Sequence, residues 1–206
     1  MKLSKKTVSI LKNFAGINQS IVVKAGSTLQ TISNVKDVFA KFEVEETFPT
    51  DFAIYDLNEF LGVCGLFEDP DLEFSDSYVA ISEGSGRQKY FYADASVITQ
   101  VPEKGVTLPS VEVTAKLTKE QLTTLVRAAS ANGATDVTFI NGDIKVHDKS
   151  VPNSNSFTIE GVASAGNYNL SISVEKLKMV ADDYDIEICS KGLARFNGAG
   201  GAEYFV

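Results

Sequence analysis

Three short patterns recur in the same order along the chain at nearly constant spacing. Leu3-Ser4 and Leu117-Thr118, each opening a helical segment, lie 114 residues apart. Ile54-Tyr55-Asp56-Leu57 and Ile172-Ser173-Val174-Glu175, each leading a strand into a short helix, lie 118 apart. Asp71-Leu72-Glu73-Phe74 and Asp185-Ile186-Glu187-Ile188 again lie 114 apart. One such match carries little weight, but three in order point to an internal duplication. The 206 residues therefore divide into two similar halves of about 100, each long enough to bury a core. Periodicity fades between Val97 and Pro109, where Pro102, Gly105 and Pro109 fall. The expected organisation is a unit over 1–96, a connector over 97–110 and a second unit over 111–206.

In the first half, Ser4 reads as an N-cap and Lys5 to Ala15 follow a helical period. Val8, Ile10, Leu11, Phe14 and Ala15 fall on one side; Lys5, Lys6, Ser9, Lys12 and Asn13 fall on the other. Strands are expected at 20–24, 28–33, 36–46 and 51–55, then a short helix over 56–61 and strands at 62–67, 72–74, 78–82 and 88–93. In the second half a strand over 111–117 meets a capping box, Thr118 with Gln121, which opens a helix over 119–131. That helix turns Leu122, Leu125, Val126 and Ala129 inward. Strands follow at 136–141, 143–148, 157–162 and 168–173, then a short helix over 174–180 and strands at 184–190, 193–196 and 202–206. Strand-rich halves with helices on one side make an α+β layer architecture.

The formal charge of −8 is unevenly placed. Met1 to Lys12 hold Lys2, Lys5, Lys6 and Lys12 and no acid, whereas Phe42 to Gly86 hold twelve acids and no lysine or arginine. One basic element thus sits in an acidic body. The first helix presents three lysines opposite its apolar stripe, and such a face suits phosphates contacted without regard to sequence.

Signs of catalysis are missing. His147 is the lone histidine, reads as a surface or edge-strand residue beside Asp148, and has no Ser or Cys partner for a triad. Gly198-Ala199-Gly200-Gly201 lacks the Lys-Ser/Thr ending of a phosphate loop and reads as a hairpin. Glu68, Asp69, Asp71, Glu73 and Asp76 lack the glycine and closing glutamate of a calcium loop, and Asp182, Asp183 and Asp185 read likewise as solvated acids. No enzyme, cofactor or metal is expected. Cys64 and Cys189 read as buried free thiols, which fits a reducing cytoplasm. No stretch approaches the roughly 18 apolar residues of a membrane span.

Two segments resemble a known family. Met1-Lys2-Leu3-Ser4-Lys5, continuing through Leu11-Lys12-Asn13-Phe14-Ala15 to Ile17-Asn18, is similar to the amino terminus of the sliding clamps of T-even-like bacteriophages. Asp51-Phe52-Ala53-Ile54-Tyr55-Asp56-Leu57-Asn58-Glu59-Phe60-Leu61-Gly62 resembles that family's central signature. The chain departs from the family in having no tryptophan, with Lys89-Tyr90-Phe91-Tyr92 near its place, and in ending at Tyr204-Phe205-Val206 without an acidic extension. The resemblance implies two similar clamp domains per chain in a head-to-tail homotrimer, with β-sheets outside and helices lining a ring around double-stranded DNA. It implies a processivity factor that tethers the replicative DNA polymerase, is loaded by an ATP-dependent clamp loader, contacts late-transcription factors and works in the cytoplasm of the infected bacterial host. The alternative is a virion structural or assembly protein without a nucleic-acid role.

On that reading Lys5, Lys6, Lys12, Lys119, Arg127, Lys176 and Lys178 face DNA. Val106, Leu108 and Pro109 of the connector, with Tyr204 and Phe205 of the last strand, line an apolar groove for a partner peptide. The strand over 88–93 of one subunit pairs with that over 157–162 of the next, placing Gln88, Tyr90, Tyr92, Phe157 and Ile159 at the joint.

Overall fold

A computed structural model describes residues 1–206. The chain forms two compact units, Met1–Gly105 and Val106–Val206. Unit 1 runs α1 (Lys5–Ile17), β1 (Ile21–Val23), β2 (Gly26–Ile32), β3 (Phe39–Phe48), β4 (Phe52–Ile54), α2 (Leu57–Cys64), β5 (Asp71–Phe74), β6 (Tyr78–Glu83) and β7 (Gly86–Phe91). Unit 2 runs β8 (Val113–Leu117), α3 (Lys119–Asn132), β9 (Asp136–Ile140), β10 (Asp143–His147), β11 (Phe157–Ile159), β12 (Asn169–Ser173), a 3-10 turn Val174–Lys176, β13 (Tyr184–Cys189), β14 (Leu193–Gly198) and β15 (Ala202–Phe205).

The two units repeat one antiparallel plan. In unit 2 the order β11-β10-β9-β12 makes one layer, and β13 lies between β8 and β14, with β15 beyond β14. In unit 1, β1 pairs with β4 and β2 with β3, while β5-β6-β7 form a second layer. Met1 takes the place that β8 holds in unit 2, its carbonyl accepting the Leu72 N–H of β5 at 2.7 Å. The fold is α+β and duplicated, as the sequence pattern implies. No helix is long and apolar enough to cross a membrane.

Helix α1 starts where Ser4 Oγ accepts the Thr7 N–H at 3.1 Å. It buries Ile10, Leu11, Phe14 and Ile17, with the Phe14 ring edge-on to Phe42 at 5.7 Å. Its end is pinned by buried Asn18, whose Nδ2 donates to the Ile32 carbonyl at 2.8 Å. Further apolar weight comes from Phe48, Phe52 and Phe74, with ring centroids 5.1–6.1 Å apart. Helix α3 has the expected capping box: Gln121 N–H to Thr118 Oγ1 at 3.2 Å and Thr118 N–H to Gln121 Oε1 at 2.9 Å. It stops at Gly133, whose φ of 60° suits glycine. Leu122, Leu125 and Ala129 are buried, but Val126, expected inward, is 38% exposed.

Several elements differ from expectation. Residues 62–67 are not a strand. Asp56 Oδ1 accepts from Asn58 and Glu59 N–H at 2.9 and 3.1 Å, and the capped helix α2 runs on to Cys64, burying Leu57, Phe60 and Cys64 at helical spacing. The expected helix over 174–180 is one 3-10 turn. Its continuation is prevented at Val180, whose N–H donates to Tyr204 Oη at 3.1 Å and whose carbonyl accepts from Tyr184 Oη at 2.8 Å. The strand from Phe157 ends at Ile159, since Gly161 has φ 68° and donates its N–H to Asp143 Oδ1. His147 is on interior strand β10, half-buried and 2.9 Å from Thr138 Oγ1, so it is not an edge-strand residue.

Candidate nucleic-acid interface

Burying the apolar stripe of α1 fixes where its cations point. Lys5, Ser9, Lys12 and Gly16 recur at intervals of four, three and four residues and are all exposed, with Lys6 beside them. Lys5 and Lys12 are two turns apart, about 10 Å along the axis. Neither pairs with a carboxylate of the chain, whereas Lys2, Lys24 and Lys116 are held by Asp69, Asp51 and Asp185. The exposed ammonium groups of Lys5 and Lys12, with small Ser9 and Gly16 on the same side, let a phosphate backbone approach closely.

The helix is held at its start by an acid from elsewhere. Its first turn contains no acidic residue. Glu46 of β3 supplies one: its carboxylate accepts from the Ser4 N–H and, at 2.6 Å, from the Thr7 hydroxyl. Burial alone would raise the Glu46 carboxyl, but these hydrogen bonds prevail and hold it below the ordinary glutamate value. A carboxylate at a helix N-terminus also complements the helix dipole. The anchor was hidden in an alternating Glu-rich strand.

In unit 2 the cations are sparser. Lys119 and Arg127 are exposed on α3 and unpaired, but Glu120 is exposed on the same helix. Lys178 is exposed and Lys176 half-buried, both on the segment at and after the 3-10 turn rather than on a helix.

The expected partner groove needs correction. Tyr204 and Phe205 are 0% and 4% exposed and belong to the core of unit 2, where Tyr204 packs edge-on to Tyr184 at 6.2 Å. They line no surface groove. Val106 and Leu108 are half-buried and Pro109 is exposed, so only the connector residues remain available to a partner.

The joint residues also divide. Strand β7 has a ladder partner, β6, on one side only, and β11 has only β10. Both are sheet edges. Tyr90 and Tyr92 do share a face, but it is the inner one: Tyr90 packs on Phe60 at 5.3 Å and Tyr92 on Phe52 at 5.4 Å. Phe157 and Ile159 are half-buried opposite buried Val146 and Ile144. The outward residues of β7 are Arg87, Lys89 and Phe91, together with exposed Gln88.

A duplicated α+β unit with a lysine-faced helix and open sheet edges is the plan of a DNA clamp. A family model described as DNA polymerase processivity factor matches residues 2–100. The sliding clamp of Vibrio phage KVP40 is 33% identical over 220 residues, covering 100% of this chain and 98% of the relative. That of Enterobacteria phage T4 is 31% identical, covering 96% and 92%. Among solved structures, the A. fulgidus PCNA with the C-terminal region of FEN-1 bound superposes with a TM-score of 0.70 at 14% identity, over 97% of this chain and 93% of that one. The chain belongs to the sliding-clamp family of T4-like phages, whose members are DNA polymerase processivity factors.

Proposed function

We propose that three copies of this chain close head-to-tail into a ring around double-stranded DNA and tether the replicative polymerase to it. The observation that carries the reading is the exposed lysine face of α1, turned into solvent by burial of Ile10, Leu11 and Phe14. A chain with a charge of −8 is repelled by DNA in bulk, so contact depends on a locally basic surface. Lys5, Lys6 and Lys12, supplemented by Lys119, Arg127, Lys176 and Lys178, supply it. Phosphate contacts of this kind hold the duplex without reading its sequence, which suits a protein that slides. Family membership leaves no support for the virion structural reading.

Unlike halves make the natural closure head-to-tail, the free edge of β7 against the free edge of β11 in the next copy. The connector, with half-buried Val106 and Leu108 and exposed Pro109, receives a short partner segment of the kind that the A. fulgidus clamp has bound. An ATP-dependent loader opens the ring, late-transcription factors use the same surface, and the site of action is the cytoplasm of the infected cell. The test is polymerase extension on primed circular DNA. Wild-type protein lengthens the products of the cognate polymerase on circular but not short linear template; equal products with and without the protein would refute the tether.

A further inference from the structure

Two exposed edges of this chain match in a way that selects one partner for both. The Tyr92 N–H donates to the Ser77 carbonyl at 3.0 Å, so along β7 the residues Tyr90, Gln88 and Gly86 direct their peptide groups to β6. Arg87, Lys89 and Phe91 therefore direct theirs to the open edge. Their side chains lie on the face opposite the buried Tyr90. On the other edge, the turn Asn141-Gly142 joins Ile140 to Asp143, so Asp143 bonds to β9 and Ile144 and Val146 bond to β11. Their partners Ile159 and Phe157 point inward to the sheet, which leaves the peptide groups of Thr158 and of Glu160 for the open edge. Alternation puts the Thr158 side chain on the face opposite the core, and Glu160, the first residue past the strand, is exposed.

The two edges thus have the same phase: in each, the residues that offer main-chain hydrogen bonds are those whose side chains face away from the core. Antiparallel partners must share both properties to extend one sheet. The charges also match. Arg87 and Lys89 are the first cations after the acidic stretch, both exposed, Arg87 steadied by Glu73 at 3.0 Å and Lys89 by the Tyr78 ring at 4.4 Å. Glu160 is exposed, with Asp143 behind it on the next strand.

We infer that Glu160 of one copy pairs with the Arg87–Lys89 couple of the next, and that this pair sets the register of the ring joint. Resting on the ring reading above, it adds the residues that choose the partner. The register that sets all of β11 against β7 and keeps Glu160 within its span places Glu160 opposite Arg87. A shift of two residues one way puts it opposite Lys89, and the other way opposite the turn residue Ser85, where no cation meets it. Cross-strand opposite charges favour a register and like charges oppose it. An acidic chain needs such a device, since its copies otherwise repel one another.

Sedimentation of a dilution series tests the pairing. Glu160→Lys alone, and Arg87→Glu with Lys89→Glu, should each raise the concentration at which rings dissociate by about tenfold or more. The triple variant should regain most of the wild-type stability, and native mass spectrometry of a mixture should find it and wild type in separate rings. Unchanged dissociation in the single-edge variants, no recovery in the triple variant, or free mixing of the two would each overturn the inference. Thr158→Pro separates this from the underlying reading, because it removes an edge donor that β10 does not use. If that variant, folded by circular dichroism, still forms rings, β11 is not the joint strand and both readings fall. If it is monomeric while Glu160→Lys assembles normally, the strand pairing stands and the charge pair is withdrawn.

Discussion

Glu46 on β3 and Thr7 in the first turn of α1 are joined by a 2.6 Å hydrogen bond from hydroxyl to carboxylate, while the same carboxylate takes the Ser4 N–H. The lysine-bearing helix is thus fastened to the sheet at its basic end. Glu46→Ala would leave part-buried donors unsatisfied and should destabilise unit 1 by about 1–3 kcal/mol at pH 7. The effect is pH-dependent in a defined direction. The folded carboxyl is depressed, so its stabilisation is complete above the ordinary glutamate pKa, about 4.3, and is lost as pH falls through the lowered value. Urea unfolding of wild type and variant at pH 7 should differ, and the gap should close in acid. A gap that stayed constant down to pH 3 would show that ionisation of Glu46 is not what matters.

Reversing charge at Lys5 and Lys12 should leave folding within about 0.5 kcal/mol of wild type, because both are exposed on a helix surface. Each chain becomes four units more negative on the face proposed to meet DNA. Rings of Lys5→Glu, Lys12→Glu protein should therefore leave circular DNA faster, with the defect greatest at low salt, where repulsion is least screened. Wild-type retention at low ionic strength would move the DNA face away from α1.

Two aromatic and apolar positions near the partner surface should behave differently from one another. Phe205 is core, so Phe205→Ala should cost about 3 kcal/mol or more and lower the unfolding midpoint. Leu108→Ala, at a half-buried connector position, should reduce polymerase stimulation with little loss of stability. Reversed outcomes in thermal melts and extension assays would place the groove at the chain end after all.

Thr118→Ala removes the side-chain acceptor of the α3 capping box and should destabilise unit 2 by about 1 kcal/mol. Amide exchange should quicken in α3 and remain unchanged in α1. Equal acceleration in both helices would mean that the two units unfold together.

Burial pushes the Cys64 thiol up to about 11, so almost no thiolate exists near neutrality. Cys189 is more deeply buried than Cys64. Neither should react with an aromatic disulfide reagent at pH 8 until denaturant is added. Prompt modification of the native protein would reveal an opening of α2 or β13 that the packed structure does not suggest.

What the sequence disclosed follows from period and punctuation. Helices α1 and α3 are long, capped by Ser4 and Thr118, and carry apolar residues at helical spacing, so local physics alone marks them. The α2 extension was concealed because Gly62 looks like a break, although Leu57, Phe60 and Cys64 keep the helical interval. The extended backbone after the turn at Val174 depends on Tyr184 and Tyr204 claiming the backbone of Val180, and the contact with Tyr204 is one that no local pattern announces. At the candidate site, alternation correctly set Tyr90 and Tyr92 on one face, but a period of two cannot say which face is inner. Consecutive burial of Tyr204, Phe205 and Val206 likewise follows from tertiary packing, not from the alternation expected of a half-exposed strand.

The turn Gly84-Ser85 between β6 and β7 has a consequence for how such chains diverge. Gly84 adopts a φ of 57°, and the two-residue connection fixes which half of β7 looks towards β6. A single inserted residue that the loop did not absorb would advance every following position by half a pleat. Arg87 and Lys89 would swing beneath the sheet, Tyr90 would emerge, and the edge would offer its hydrogen bonds from the wrong side chains. Substitutions along β7 tune the strength of association gradually, whereas turn length acts as a discrete code. Lineages that differ by one residue there would become mutually incompatible at a stroke while each kept the same fold.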